Sequence, residues 1–263
     1  MRILLPLALL LAAAPAGAQT RLRDFCPDRP GLGTPPCTID PGHGAVEVGL
    51  VDWTLERAPG SRTDTFVFGD TLVRYGLTSN TELQLAWTSF GTQRQRDSGG
   101  VSRSSGTGDV RIALRRNLLH PDGSGLSIAA MPYVGLPTGG RTIGAGTWRA
   151  GALIPVTYQL PHGFQLDFTG RVEAEPNESR RGRHLAYGGI VGVDMPIAKA
   201  VTGTFELSVQ RSLDPGGHST PVVGAFSLAW LARPSLQLDV GANRGISGGA
   251  PAWELYAGIA KRF

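Results

Sequence analysis

Apolar and polar residues alternate with a period of two through most of this chain, the signature of strands whose two faces meet different surroundings. In residues 164–173, Phe164, Leu166, Phe168 and Val172 share one parity, while Gln165, Asp167, Thr169, Arg171 and Glu173 share the other. Residues 201–210 set Val201, Phe205, Leu207 and Val209 against Thr202, Thr204, Glu206, Ser208 and Gln210. Residues 236–243 set Leu236, Leu238, Val240 and Ala242 against Gln237, Asp239 and Asn243. About twelve such segments lie between Gly44 and Phe263, each near the length of a tilted membrane strand. Two are irregular. Residues 63–75 carry Phe66 and Phe68 on one parity but Val73 and Tyr75 on the other, which a bulge near Gly69 would reconcile. Residues 184–195 are largely apolar on both faces.

The connections alternate in length. The longer ones are residues 57–62, 91–106, 137–147, 176–183, 211–219 and 245–251; the shorter ones are 76–80, 119–124, 161–162, 196–199 and 232–234. Short turns at one end and long loops at the other are the layout of an outer-membrane barrel. The pattern predicts an all-β fold, an up-and-down antiparallel transmembrane β-barrel of about twelve strands. An even strand number returns both termini to the periplasmic side, and closure leaves no sheet edge in lipid.

Composition supports this reading over a soluble sandwich. Charged residues are 17% of the chain, there are 37 glycines, and Lys199 and Lys261 are the only lysines, so no lysine-rich solvent face is available. The net charge of +4 is small and dispersed, which argues against nucleic acid as a partner. Arg2, the apolar stretch from Ile3 to Ala14 and the small residues Ala16-Gly17-Ala18 predict a signal peptide over residues 1–18. Residues 19–43 then read as a periplasmic N-terminal segment and 44–263 as the outer-membrane barrel. Cys26 and Cys37 could close a disulfide loop in an oxidising periplasm or remain free. Two cysteines do not make a zinc site, and no metal or cofactor is expected. Phe263 ends an amphipathic strand and resembles the signal read by the barrel assembly machinery. The expected surroundings are outer-membrane lipid and lipopolysaccharide.

Strand parity directs a set of charged residues away from lipid: Glu47, Arg74, Glu82, Asp109, Arg111, Arg115, Asp167, Arg171, Glu173, Glu206, Asp239 and Glu254. Charges turned inward must be hydrated or paired. If a path is open they tune what passes; if they interlock they close it. Arg74 and Glu82 lie near one another across the turn at residues 76–80, either as a structural ion pair or as lining of a conduit. Residues 91–106 carry Arg94, Arg96 and Arg103 and could fold inward as a constriction, reach lipopolysaccharide, or stay solvated. No serine or acid stands beside His184 or His218 by local spacing, so an enzyme is not expected.

The stretches CTIDPGHGAVEVGL, GDTLVRYGLTSNTELQLAW, TGDVRIALRRNLL, MPYVGLPTG and SLQLDVGANRGI, with the terminal AKRF, resemble the outer-membrane transporter family labelled "putative MetA-pathway of phenol degradation". The similarity runs from about Cys37 to Phe263, and RYGLTSNTELQL and GLPTG are its most specific parts. It implies passage of aromatic or other hydrophobic small molecules across the outer membrane, and it carries no established binding residues. Together these readings predict a passive channel for a small-molecule permeant. The alternatives are a structural or surface-interaction barrel with a closed lumen and, further off, an outer-membrane lipid hydrolase.

Overall fold

Alternating segments become strands because each can bury its polar parity inside a ring and leave its apolar parity outside. The computed structural model describes residues 22–179 and 181–263, so the expected signal peptide lies outside the described residues. The strands are β1 (Gly44–Ala58), β2 (Ser61–Thr78), β3 (Thr81–Asp97), β4 (Gly100–Gly106), β5 (Val110–Leu119), β6 (Leu126–Leu136), β7 (Arg149–Gln159), β8 (Gln165–Pro176), β9 (Arg183–Ala198), β10 (Val201–Ser212), β11 (Val222–Arg233), β12 (Leu236–Gly245) and β13 (Trp253–Arg262). Each pairs antiparallel with its neighbours, and β1 closes on β13 from Ala45↔Arg262 to Leu55↔Trp253. β4 pairs with β3 at Gly91–Asp97 and β5 pairs with it at Thr81–Ala86. These two therefore occupy one position, and the thirteen segments make twelve staves. Gly44 and Phe263 exchange backbone hydrogen bonds, which places both ends of the barrel at the short-turn rim.

The outer face is apolar and exposed, as Leu83, Leu85 and Trp87 of β3 and Phe205, Leu207 and Val209 of β10 show. Their strand neighbours Glu82, Gln84 and Ser208 point inward, and Glu82 and Gln84 are almost wholly buried. An apolar outer band around a polar interior is the design of a transmembrane barrel. The phase change expected near Gly69 is present. Gly69 has a φ of +64°, and the exposed parity switches from Val73 and Tyr75 to Phe66 and Phe68 around it. The neighbouring strands switch at the same level, at Leu50 and Val51 of β1 and between Trp87 and Phe90 of β3. Phe66, Phe68 and Phe90 then stack on the outer face with ring centroids 6.4 Å apart.

Three sequence expectations change. Residues 57–62 are not a long loop, because β1 and β2 extend until only Pro59 and Gly60 join them. Residues 91–106 do not fold across the lumen. They are the β3–β4 hairpin, and β3 stays paired with β2 up to Arg62↔Arg96, so the ladder carries Arg94, Arg96 and Arg103 along the wall. The connection between β6 and β7 turns inward instead. Asp109 accepts hydrogen bonds from the N–H groups of Gly139 (3.0 Å) and Ala145 (2.7 Å), and Ile143 reaches a cavity shared with Asp52, Asp70 and Thr88. Finally, residues 22–43 are not a separate periplasmic extension. They enter the barrel and fill much of its interior, as the contacts below show.

Candidate functional site

The site is the lumen together with the N-terminal plug, residues 22–43. Cys26 and Cys37 are disulfide-bonded, with Cα atoms 6.5 Å apart, so the plug contains a closed loop. Its base lies near the short-turn rim. There the Thr38 N–H donates to the Pro121 carbonyl (3.0 Å), Asn117 Nδ2 donates to the Pro36 carbonyl (2.9 Å), and the Ile39 N–H donates to Glu82 (2.8 Å). Pro41 bridges to Gly76, where any Cβ would strike the backbone of Ile39 and Asp40.

Deeper in the lumen, wall carboxylates hold consecutive plug amides. Glu47 accepts from the N–H groups of Asp28 and Arg29, both at 2.9 Å. Glu206 accepts from those of Leu32 and Gly33, both at 2.7 Å. Adjacent backbone amides form a concave cradle for an anion. The second cradle needs glycine. Gly31 has a φ of +112°, and a Cβ on Gly31 or Gly33 would come within 2.7 Å or 2.9 Å of the Glu206 carboxylate. The Arg29 guanidinium crosses to Asp239 (2.9 Å), in space left by the missing side chain of Gly258.

A buried charge cluster locks the base of this loop. Arg74 and Arg115 are fully buried. Arg74 pairs with Glu82 (2.9 Å), Glu47 (3.1 Å) and Asp28 (3.0 Å). Arg115 pairs with Asp28 (2.6 Å) and Glu82 (3.2 Å), and both guanidinium groups donate to the Cys37 carbonyl. Arg74 and Glu82 thus meet across their hairpin. The plug's Asp28 joins them to Arg115. Burial pushes the Asp28 carboxyl up, but Arg115 and Arg74 outweigh it and bring it down to about 2.

The remaining sequence candidates have partners of their own. Asp109 holds the β6–β7 connection, Glu254 accepts from Asn243 (2.7 Å), and Asp167 accepts from Gln165 (2.8 Å). Arg171 pairs with Glu173 (3.1 Å), and Arg111 lies over the Tyr133 ring, 5.8 Å from its centroid. Sequence reasoning missed Asp28, Arg29, Asp52, Asp70, Tyr133, Arg149, Asp194 and Tyr256, all of which line lumen cavities. Asp52 and Asp70 were hidden by the phase change. Asp28 and Arg29 carried one readable sign, their place inside the Cys26–Cys37 loop.

Beside His184 the fold assembles what local spacing did not. His184 Nδ1 faces Asn177 Oδ1 (3.1 Å) and Asp214 Oδ2 (3.3 Å), and its Nε2 faces Ser212 Oγ (2.8 Å). Asn177 Nδ2 donates to the Arg181 carbonyl, which turns Oδ1 towards the ring. Two acceptors at Nδ1 require it to carry a proton, and in the neutral ring Nε2 is then the acceptor of the Ser212 hydroxyl. This is the order of a nucleophile, base and acid. The backbone N–H groups of Ser212, Leu213, Gly216 and Gly217 are all committed to other acceptors. They are therefore not free to hold a developing oxyanion.

The charge cluster makes a pH prediction. Asp28→Asn leaves Arg74 and Arg115 short of a buried partner and lowers folding stability at pH 7 by about 3 kcal/mol. A carboxyl whose folded pKa is depressed contributes fully above its unfolded value, near pH 4, and loses that contribution as pH falls towards 2. Unfolding midpoints in detergent should therefore differ by a constant amount from pH 8 to about pH 4.5, and the difference should shrink below pH 3. A gap that persists undiminished at low pH contradicts the assignment.

Comparison with known proteins agrees with this architecture. An outer membrane channel from Pseudomonas putida F1 superposes with a TM-score of 0.64 at 15% identity, over 86% of this chain and 97% of its own. The NanC porin gives 0.50 at 9% identity, over 83% and 98%. The translocator domain of the autotransporter NalP from Neisseria meningitidis gives 0.50 at 11%, over 84% and 88%. At such identities the likeness is one of fold. No curated protein matches the sequence. The family model described as "Putative MetA-pathway of phenol degradation" matches residues 27–263, which takes in the plug loop as well as every strand, and the chain belongs to that family.

Proposed function

We propose that this chain is an outer-membrane channel for passive passage of small, aromatic or hydrophobic molecules, with the N-terminal plug as its constriction. The observation that carries this reading is the space left beside the plug. A cavity of about 300 Å³ lies between the plug and Asp167, Asp194 and Glu206. Another of about 270 Å³ lies between Arg29 and the Asp52, Asp70 and Tyr256 side of the wall. Arg111, Arg115, Asp167, Arg171 and Glu206 do not interlock into one closed layer. Each is engaged separately, most of them by the plug or by a strand neighbour. The family description supports an aromatic permeant, and the Pseudomonas putida relative is itself an outer membrane channel.

In this reading the short-turn rim, with both ends of the barrel, faces the periplasm, and the long loops face outward. Lipid surrounds the apolar band, lipopolysaccharide meets the outer rim, and the assembly machinery reads the strand that ends in Phe263. The second reading, a barrel with a closed lumen, is favoured by the buried cluster of Arg74, Arg115, Asp28, Glu47 and Glu82. Conductance of the full chain in planar bilayers separates the two. Wild type should conduct small ions weakly, and Asp28→Asn combined with Arg29→Gln should raise the conductance several-fold. Silence from both proteins removes the channel.

We assign no covalent chemistry. The His184 group ties the β8–β9 and β10–β11 connections together. Turnover of p-nitrophenyl esters by the folded barrel should stay at buffer background and be unchanged by Ser212→Ala. Turnover lost with that hydroxyl would reverse the assignment.

A further inference from the structure

The lumen contains two guanidinium groups with no counter-charge at hand. Arg111 of β5 and Arg149 of β7 both line a cavity of about 230 Å³ between the wall and the plug tip. Among the described residues, neither has a carboxylate within the 4.0 Å of an ion pair. The carboxylate that shares their cavity is saturated. One oxygen of Glu173 accepts from the Tyr133 hydroxyl (2.5 Å), and the other accepts from Arg171 (3.1 Å) and Gln210 (2.9 Å). Glu175 acts on Arg149, and Asp28 on Arg111, only through longer-range attraction. Arg149 Nε is buried without any hydrogen-bond partner.

Sequence makes room for this arrangement. A Cβ on Gly135 would press on the Arg149 side chain at 2.8 Å, and one on Gly151 would meet the Tyr133 ring at 2.8 Å. Leu153, Ile190 and the plug's Leu32 supply an apolar part of the cavity, beside Thr34, Thr169 and the Arg171–Glu173 pair. A buried guanidinium donor left unpaired is costly, and its planar fork matches a carboxylate. The volume is below that of pockets for drug-sized ligands and suits a small ligand such as a single ring.

We infer that this cavity binds a small aromatic carboxylate, its charge between Arg111 and Arg149 and its ring against Leu153, Ile190 and Leu32. The inference rests on the channel reading for its role, because the anion would arrive through the lumen and would touch the plug. It narrows the permeant class from apolar aromatics to their acids. Binding itself is measurable without flux.

The test is calorimetric titration of sodium benzoate into the full chain folded in detergent micelles at neutral pH, with benzyl alcohol as the uncharged counterpart. Benzoate should bind at least about tenfold more tightly than benzyl alcohol, and Arg111→Gln or Arg149→Gln should each weaken it about tenfold. Arg57→Gln, on an exposed end of β1, should leave it unchanged. Heat-modifiable gel migration checks folding. If a glutamine variant fails that check, Arg111→Lys and Arg149→Lys keep the charge, lose the fork, and should weaken binding less than tenfold. Three results each overturn the inference: no benzoate binding by the folded wild type, equal binding of both ligands, or full binding by folded Arg111 and Arg149 variants. A barrel that binds benzoate but never conducts removes the channel reading alone. One that conducts but ignores benzoate removes this site alone.

Discussion

Carboxylates on the inner wall holding the backbone of the plug are the constraint on which the rest of this structure depends. A closed barrel solves the hydrogen bonding of its strands but leaves a ring of inward charges that must find partners. Here the partners come largely from one short segment. Glu47 and Glu206 take pairs of plug amides, Asp239 takes Arg29, and Arg74 and Arg115 share Asp28. Removing any one of these leaves a charge buried without its complement, which costs more than the pair gains. The disulfide and the glycines at 31 and 33 serve the same end, because they shape the loop that brings these groups within reach.

This arrangement divides the lumen unevenly. Towards the short-turn rim, charge is matched at contact distance. Beside the plug tip it is not: Arg111 and Arg149 face one cavity, while Asp52 and Asp70 face another with Arg29 and Tyr256. The tight end explains how the plug is retained. The looser middle is where a permeant would be sorted by charge and size.

Much of the barrel was readable in the sequence because strands report their facing locally. Parity assigned the twelve charged candidates to the inner face, and the Arg74–Glu82 contact lies across the short turn between β2 and β3. Parity failed where the backbone changed phase. One step at Leu50, Gly69 and Ser89 changes the phase, so Asp52 lies inside against the count from Glu47 and Asp70 lies inside against the count from Phe66 and Phe68. Residues 91–106 looked like a loop because their polarity is high, yet pairing with β2 decides their conformation. The plug could not be placed at all by local reasoning. Its partners lie up to 239 residues away in sequence, and nothing in residues 22–43 alternates to announce a surface that fits a barrel interior. Separation in sequence also hid Ser212, 28 residues from His184 on the next strand, and Asp214 just beyond it.

The central claim is that residues 22–43 live inside the barrel and not beneath it. Placing a photo-crosslinking benzoylphenylalanine at Leu32, irradiating intact cells and mapping the products tests this directly. The account predicts an intramolecular cross-link from position 32 to peptides of β8, β9 or β10 that contain Thr169, Ile190 or Glu206. Cross-links from that position to other envelope proteins, with none to the chain's own wall, would contradict it.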